Sequence, residues 1–173
     1  MGADAYGRFE RPVIRAADLT GPDAIVVGAA VGAYLQQTEL EKRQQTGAVP
    51  DPAAPLPERY RREVEDPAAA YAGHRVLIAQ LADRSVGVVV LSRRDGLAEI
   101  KRLWAAPEAR GLGVGSALLD GAVLEAEALG ATEVRLSVWD WRAGAVRLYE
   151  SRGFERVPSW DDRERLVCMV RPV

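Results

Sequence analysis

One cysteine and one histidine serve the whole 173-residue chain, and these two scarcities remove several chemistries. A lone Cys168 excludes an intramolecular disulfide and makes a reducing compartment the natural setting. One Cys and one His cannot build a Cys/His zinc site, and no metal is expected. A Ser-His-Asp or Cys-His device would have to be built around His74, which stands at a strand start far from any nucleophile motif. Charge of one sign is also missing: 23 basic and 25 acidic side chains give a net charge of −2, without the basic excess that marks nucleic-acid binders. No apolar run is long enough to span ~30 Å of hydrocarbon; Ala24 to Leu35 is short and rich in Ala and Gly. The first six residues lack the basic-then-apolar pattern of a signal peptide, so a cytoplasmic protein without membrane or nucleic-acid partners is expected.

What is present suits one soluble domain, placed at residues 8–173, with 48% apolar and 28% charged residues. Arg11–Arg15 reads as a first or edge strand. Asp18 or Thr20 would cap a helix running from about Pro22 to Gln45. Four prolines between Gly47 and Pro57 predict an irregular loop, and Glu58–Glu65 a short helix ended by Asp66-Pro67. Arg75–Ala79 and Val86–Leu91 flank a turn and predict an antiparallel hairpin, followed by a third strand, Leu97–Ala105. Apolar positions near 114, 117/118, 121/122, 124 and 128 predict a helix over Val114–Leu129, with Gly130 as its C-terminal stop. A strand over Glu133–Trp139, a helix over Ala143–Arg152 and a strand over Leu166–Val170 complete an α/β (α+β) order, with helices on both faces of a mixed sheet.

The densest signal is Arg110-Gly111-Leu112-Gly113-Val114-Gly115-Ser116, where a strand leads through a turn into a helix. Alternating glycines let backbone N–H groups approach an anion, and the helix start adds unpaired donors and the positive end of its dipole. Arg110 could add a charged donor, so a diphosphate would be well held; the alternative is a glycine-rich turn with no ligand. A P-loop is excluded because no lysine follows the glycines, and a dinucleotide fingerprint because Ser116 stands where its third glycine belongs.

Arg110, Gly113 and Gly115 match the signature of the GCN5-related N-acetyltransferase (GNAT) superfamily, and Ala145-Val146-Arg147-Leu148-Tyr149-Glu150-Ser151-Arg152-Gly153-Phe154 is similar to that family's A-x-x-L-Y-x-x-x-G-F stretch. The resemblance is strong over about residues 86–154. It implies a mostly antiparallel sheet whose strands 97–105 and 133–139 splay apart around acetyl-CoA. Leu103, Trp104 and Ala105 would meet its pantetheine arm and thioester, and Arg110, Gly111, Leu112, Gly113, Val114, Gly115 and Ser116 its diphosphate. A backbone N–H near Ala105 would stabilise the oxyanion.

By the same resemblance, Tyr149 would give a proton to the departing thiolate, its alternative role being core packing. Glu99 would act as general base, its alternative being a surface pair with Lys101 or a neighbouring strand, with bulk water or a backbone carbonyl taking the proton instead; strand alternation puts Glu99, Lys101 and Leu103 on one face. Many relatives carry an asparagine where this chain has Arg142, which leaves that residue's role unassigned. Trp139 and Trp141 could line the acceptor site or pack at its rim. Asp140 could attract a cationic amine or lie solvated on its loop. The acceptor would be a small-molecule or peptide amine; Glu39, Glu41, Glu58, Glu63 and Glu65 make the region before Tyr71 partly acidic, which would suit a polyamine, an aminoglycoside or a peptide amine, or be just a solvated helix face. Dimerisation is common among relatives. The competing reading is a GNAT-like module that holds CoA without turnover.

Overall fold

Strand β1 (Val13–Ala16) lies at one edge of a seven-stranded sheet in the order β1-β2-β3-β4-β5-β7-β6, in a computed structural model that describes residues 10–173. The hairpin partners are β2 (Arg75–Leu81) and β3 (Arg84–Arg94), followed by β4 (Leu97–Ala105). Then come β5 (Glu133–Trp139), the three-residue β6 (Glu155–Val157) and β7 (Leu166–Pro172). Every pairing is antiparallel except β4 with β5.

Alternation along the strands feeds two cores. On one face Val76, Ile78, Val88 and Val90 pack with Val27, Val31 and Leu35 of α1 (Asp23–Gln45). On the other, Leu77, Ala79, Val89 and Leu91 pack with Leu118, Leu119 and Ala122 of α4 (Val114–Ala128), and with Val146 and Tyr149 of α5 (Ala143–Ser151). A 3₁₀ turn at Glu58–Tyr60 runs into α2 (Arg61–Glu65) and α3 (Pro67–Ala70), which pack against α1.

Several expectations need correction. Neither Asp18 nor Thr20 caps α1. Asp18 closes a tight turn on Thr20, and Asp23 instead ties the helix start to β1 by accepting from Nη1 and Nη2 of Arg15 (2.7 and 2.8 Å) and from the Asp18 amide. Asp66-Pro67 ends α2 at Glu65 as expected, and Asp66 then accepts from the Ala69 amide and starts the unexpected α3, with Pro67 in its first turn. In α4 the buried stripe passes through Val123 and Ala126, leaving Leu124 and Ala128 exposed. The expectation for residues 8 and 9 lies outside the described residues.

Candidate active site

Strand β4 runs beside β5 only as far as the pairs from Leu97–Glu133 to Ile100–Leu136. Beyond them β4 stays with β3 up to Ala105 and β5 stays with β7 up to Trp139, so the two strands diverge. A bulge drives the departure. Arg102 adopts a left-handed backbone (φ 54°), and the register against β3 slips between Val88 and Val90. The slip also breaks the expected alternation. Ala98 and Ile100 face the α4 core, placing Glu99 and Lys101 opposite, but Leu103 returns to the α4 side and does not share their face.

Past the bulge, the Ala106 amide bonds the Val86 carbonyl (2.8 Å). In an antiparallel ladder the neighbouring residue then turns its own N–H and C=O the other way, so those of Ala105 point into the gap. The Ala105 carbonyl accepts there from Arg110 Nε (3.3 Å).

The divergence opens a cleft of about 910 Å³. Tyr149, Glu99, Leu103, Trp104, Ala105 and Arg110 all line it, as do Trp139 and Trp141. Residues 111–116 lie beyond its lining, at the start of α4. There Gly111 and Gly113 both have φ of 80°, with no protein atom within 4 Å of the position a Cβ would take. The first bond of α4 runs from the Ala117 amide to the Gly113 carbonyl (2.9 Å), leaving the amides of Val114, Gly115 and Ser116 ahead of it. No acidic side chain stands in that first turn. The residues therefore fit an anionic group such as a diphosphate. Arg110 sits at the junction of the two regions, donating also to Gln37 Oε1 of α1 (2.7 Å).

Helix α5 comes close to this cup: a Cβ on Gly115 would lie 3.6 Å from Leu148 Cδ2. One residue on, Tyr149 is 7% exposed, packs edge-on against Phe154, and its hydroxyl has no hydrogen-bond partner among the described residues. Burial pushes that hydroxyl well above the ordinary tyrosine range; nearby Tyr34 adds to the effect and Arg142 opposes it. Glu99, half-buried, faces Arg135 Nη2 at 3.5 Å and Lys101 Nζ at 3.8 Å. His74 and Asp140 are not among the cleft residues; Asp140 pairs with Arg165 (2.9 Å).

A polar frame that sequence reasoning did not find holds the cleft's far wall. Arg142 donates to Glu41 (2.8 Å) and Thr38 (2.7 Å), and Trp141 Nε1 also donates to Glu41 (2.9 Å). Arg102 makes a two-pronged contact with Glu63 of α2 (2.8 and 2.9 Å), which also accepts from Tyr71 (2.7 Å). Burial alone would push Glu63 up, but donation from Arg102 and Tyr71 outweighs it and holds the carboxyl below its usual range. Both guanidiniums lie over the Tyr34 ring. Tyr34, Thr38 and Glu41 follow the i, i+4, i+7 spacing of one helix face, the signal by which this wall could have been found.

The acidic surface expected before Tyr71 is also reassigned. Glu39 pairs with Lys42 and Arg59, Glu58 and Glu65 with Arg61, and Glu41 and Glu63 with the two arginines above.

Residues 35–154 match the model of the acetyltransferase (GNAT) family. The chain belongs to this family of acyltransferases. An uncharacterised N-acetyltransferase of Schizosaccharomyces pombe is 42% identical over 60 residues, 35% of this chain and 37% of its own length. An IAA acetyltransferase of Azospirillum brasilense is 32% identical over 82 residues, 46% of this chain and 54% of its own length. The matches thus span about a third to a half of these relatives. Among solved structures, the PaiA N-acetyltransferase of Thermoplasma acidophilum in complex with coenzyme A superposes with a TM-score of 0.69 at 19% identity, over 94% of this chain and 99% of that one. The likeness shows the shared fold. No helix among the described residues is long and apolar enough to cross a membrane.

Proposed function

We propose that this chain transfers an acetyl group from acetyl-CoA to a primary amine by direct attack in a ternary complex. The divergence of β4 from β5 beyond Ile100 and Leu136 carries the reading, because it opens backbone groups and Tyr149 onto one cleft beside the amide cup of α4. The complex of the Thermoplasma protein with coenzyme A supports it. Acetyl-CoA would supply an activated thioester. The amides of Val114, Gly115 and Ser116, with Arg110, would hold its diphosphate, and the gap-facing Ala105 N–H would meet the charge that develops on the carbonyl oxygen.

The amine lone pair forms the new C–N bond, the C–S bond breaks, and the electron pair leaves with sulfur. Tyr149, protonated at neutral pH, gives its proton to that thiolate as it forms. Glu99, directly or through water, accepts the proton the amine must lose. The single thiol, Cys168, is buried, which supports a cytoplasmic setting.

Thiol release from acetyl-CoA across a panel of amines tests this, with Tyr149→Phe beside the parent. Turnover by the parent, about 100-fold lower kcat in the variant and similar CoA affinity in both are expected. CoA binding without thiol release from any acceptor would instead favour a sensor that holds the ligand without turnover.

A further inference from the structure

Seven basic side chains and two acidic ones line the cleft among the described residues. Counting also Glu39, Glu63 and Asp161, which pair with lining cations from outside the lining, leaves the basic groups in excess. Of the two lining acids, Glu41 is already engaged, accepting from Gln37, Trp141 and Arg142 together, which leaves Glu99 as the one that can meet an ammonium group. Two of the lining cations, both with side chains open to solvent, have a carboxylate only beyond hydrogen-bond reach: Arg59, whose Nη2 donates to the Tyr60 hydroxyl (3.2 Å), has Glu39 at 3.8 Å, and Lys101 has Glu99 at 3.8 Å.

We infer that the acceptor carries a carboxylate next to its amine, as an α-amino acid does, and that Lys101 and Arg59 receive that carboxylate while Glu99 receives the amine. The inference rests on the acetyl-transfer reading above. Glu99 and Lys101 form a loose pair of opposite charges on one face of β4, and a molecule with adjacent ammonium and carboxylate groups presents the complementary pair. Arg135 on the other flank of Glu99 adds positive charge, not negative. The rest of the acceptor meets walls formed by Tyr60, which lies under the Arg59 guanidinium at 4.5 Å, and by Trp139, which is stacked on Trp141 at 4.7 Å with Lys42 and Arg163 over its ring. A polyamine would bring like charges against Arg59 and Lys101, with Glu99 alone to offset them.

Matched acceptors that differ only in the carboxylate test this: phenylalanine against phenethylamine, tryptophan against tryptamine, and lysine against cadaverine. Thiol release should show kcat/KM at least about tenfold higher for the carboxylated member, since a charge-assisted hydrogen bond is at stake. Arg59→Gln and Lys101→Gln should each shrink that ratio through KM. If Lys101→Gln also changes kcat through Glu99, the Arg59→Gln ratio decides. Equal or better turnover of the decarboxylated partners overturns the inference, as does a ratio that neither substitution moves. A loss of CoA affinity in these variants, measured by calorimetry, would overturn it too, by assigning the cations to the CoA phosphates. If no amine is turned over, the acetyl-transfer reading fails. Calorimetric titration of the CoA complex then reads the acceptor preference directly, and equal binding of both partners overturns it.

Discussion

Tyr149 combines burial with an unpartnered hydroxyl that shares a cleft with Glu99, and the two properties work together. Burial disfavours the phenolate, so the folded-state value rises and the hydroxyl keeps its proton through neutral and mildly alkaline pH. The rate should therefore show no alkaline loss near the ordinary tyrosine value of about 10. A pH profile of kcat measured to pH 10.5 checks this; a falling limb centred near 10 that disappears in Tyr149→Phe would contradict it. Asp23 shifts in the opposite direction. Hydrogen bonds from Arg15, and then from the Asp18 amide, hold its carboxyl down at about 2. A depressed folded value contributes stability that is fully present above the unfolded value of about 3.9 and is lost as pH falls toward 2. Urea unfolding of Asp23→Asn should give a flatter dependence of stability on pH between about 4 and 2 than the parent, and a stability at pH 7 lower by about 1 kcal/mol. Parallel curves for the two proteins would rule this out.

At the scale of elements, Gly87 decides how closely α4 can approach the sheet. A Cβ there would sit 2.7 Å from the Trp104 carbonyl and 2.9 Å from both Leu118 Cδ1 and Val114 Cγ1. One of the three is rigid backbone, and the other two belong to the first turns of the helix that bears the amide cup. Gly87→Ala should destabilise by about 2 kcal/mol and weaken CoA binding together, because relief requires α4 to move outward. Chemical denaturation and calorimetry would measure both, and unchanged stability would refute the argument. Much of this layer was legible in the sequence. The bounds of β4 and β5 follow from β-branched and apolar runs between turn residues, and Gly153, at φ 82°, ends α5 where the A-x-x-L-Y-x-x-x-G-F stretch places it. Hidden were features with no periodic signal of their own. β6 has only three residues, and neither of its first two is buried. The bulge at Arg102 is a non-glycine left-handed residue held by its contact with Glu63, 39 positions away. Such a contact leaves no local mark. The slipped stripe of α4 shows the reverse failure: Leu124 is apolar yet 65% exposed, so composition misled the phase.

For the whole molecule, the opening that admits a ligand is also a seam. Strands β1 to β4 form one half of the sheet and β5 to β7 the other. Four residue pairs join them along the strands, and a bond from the Thr132 amide to the Gly96 carbonyl (2.9 Å) closes the far end. Across the open part the halves are linked instead by long side chains that reach α1 from the segments after β5: Arg142 reaches Glu41 and Thr38, Trp141 reaches Glu41, and Arg165 reaches Gln45. A ligand lying between Ala105 and Trp139 would replace missing ladder contacts and join both halves, so binding should be felt as global stability. CoA at a hundred times its Kd should contribute about 2.7 kcal/mol, a rise in melting temperature of about 5 to 10 °C for a chain of this size. Gly113→Val should abolish most of that rise, because a branched side chain at φ 80° is strained and occupies the space before the amides. The variant's own lower melting temperature serves as its baseline, so a folding defect and a binding defect separate. A parent whose melting temperature stays fixed from zero to millimolar CoA would show that the seam holds no such ligand.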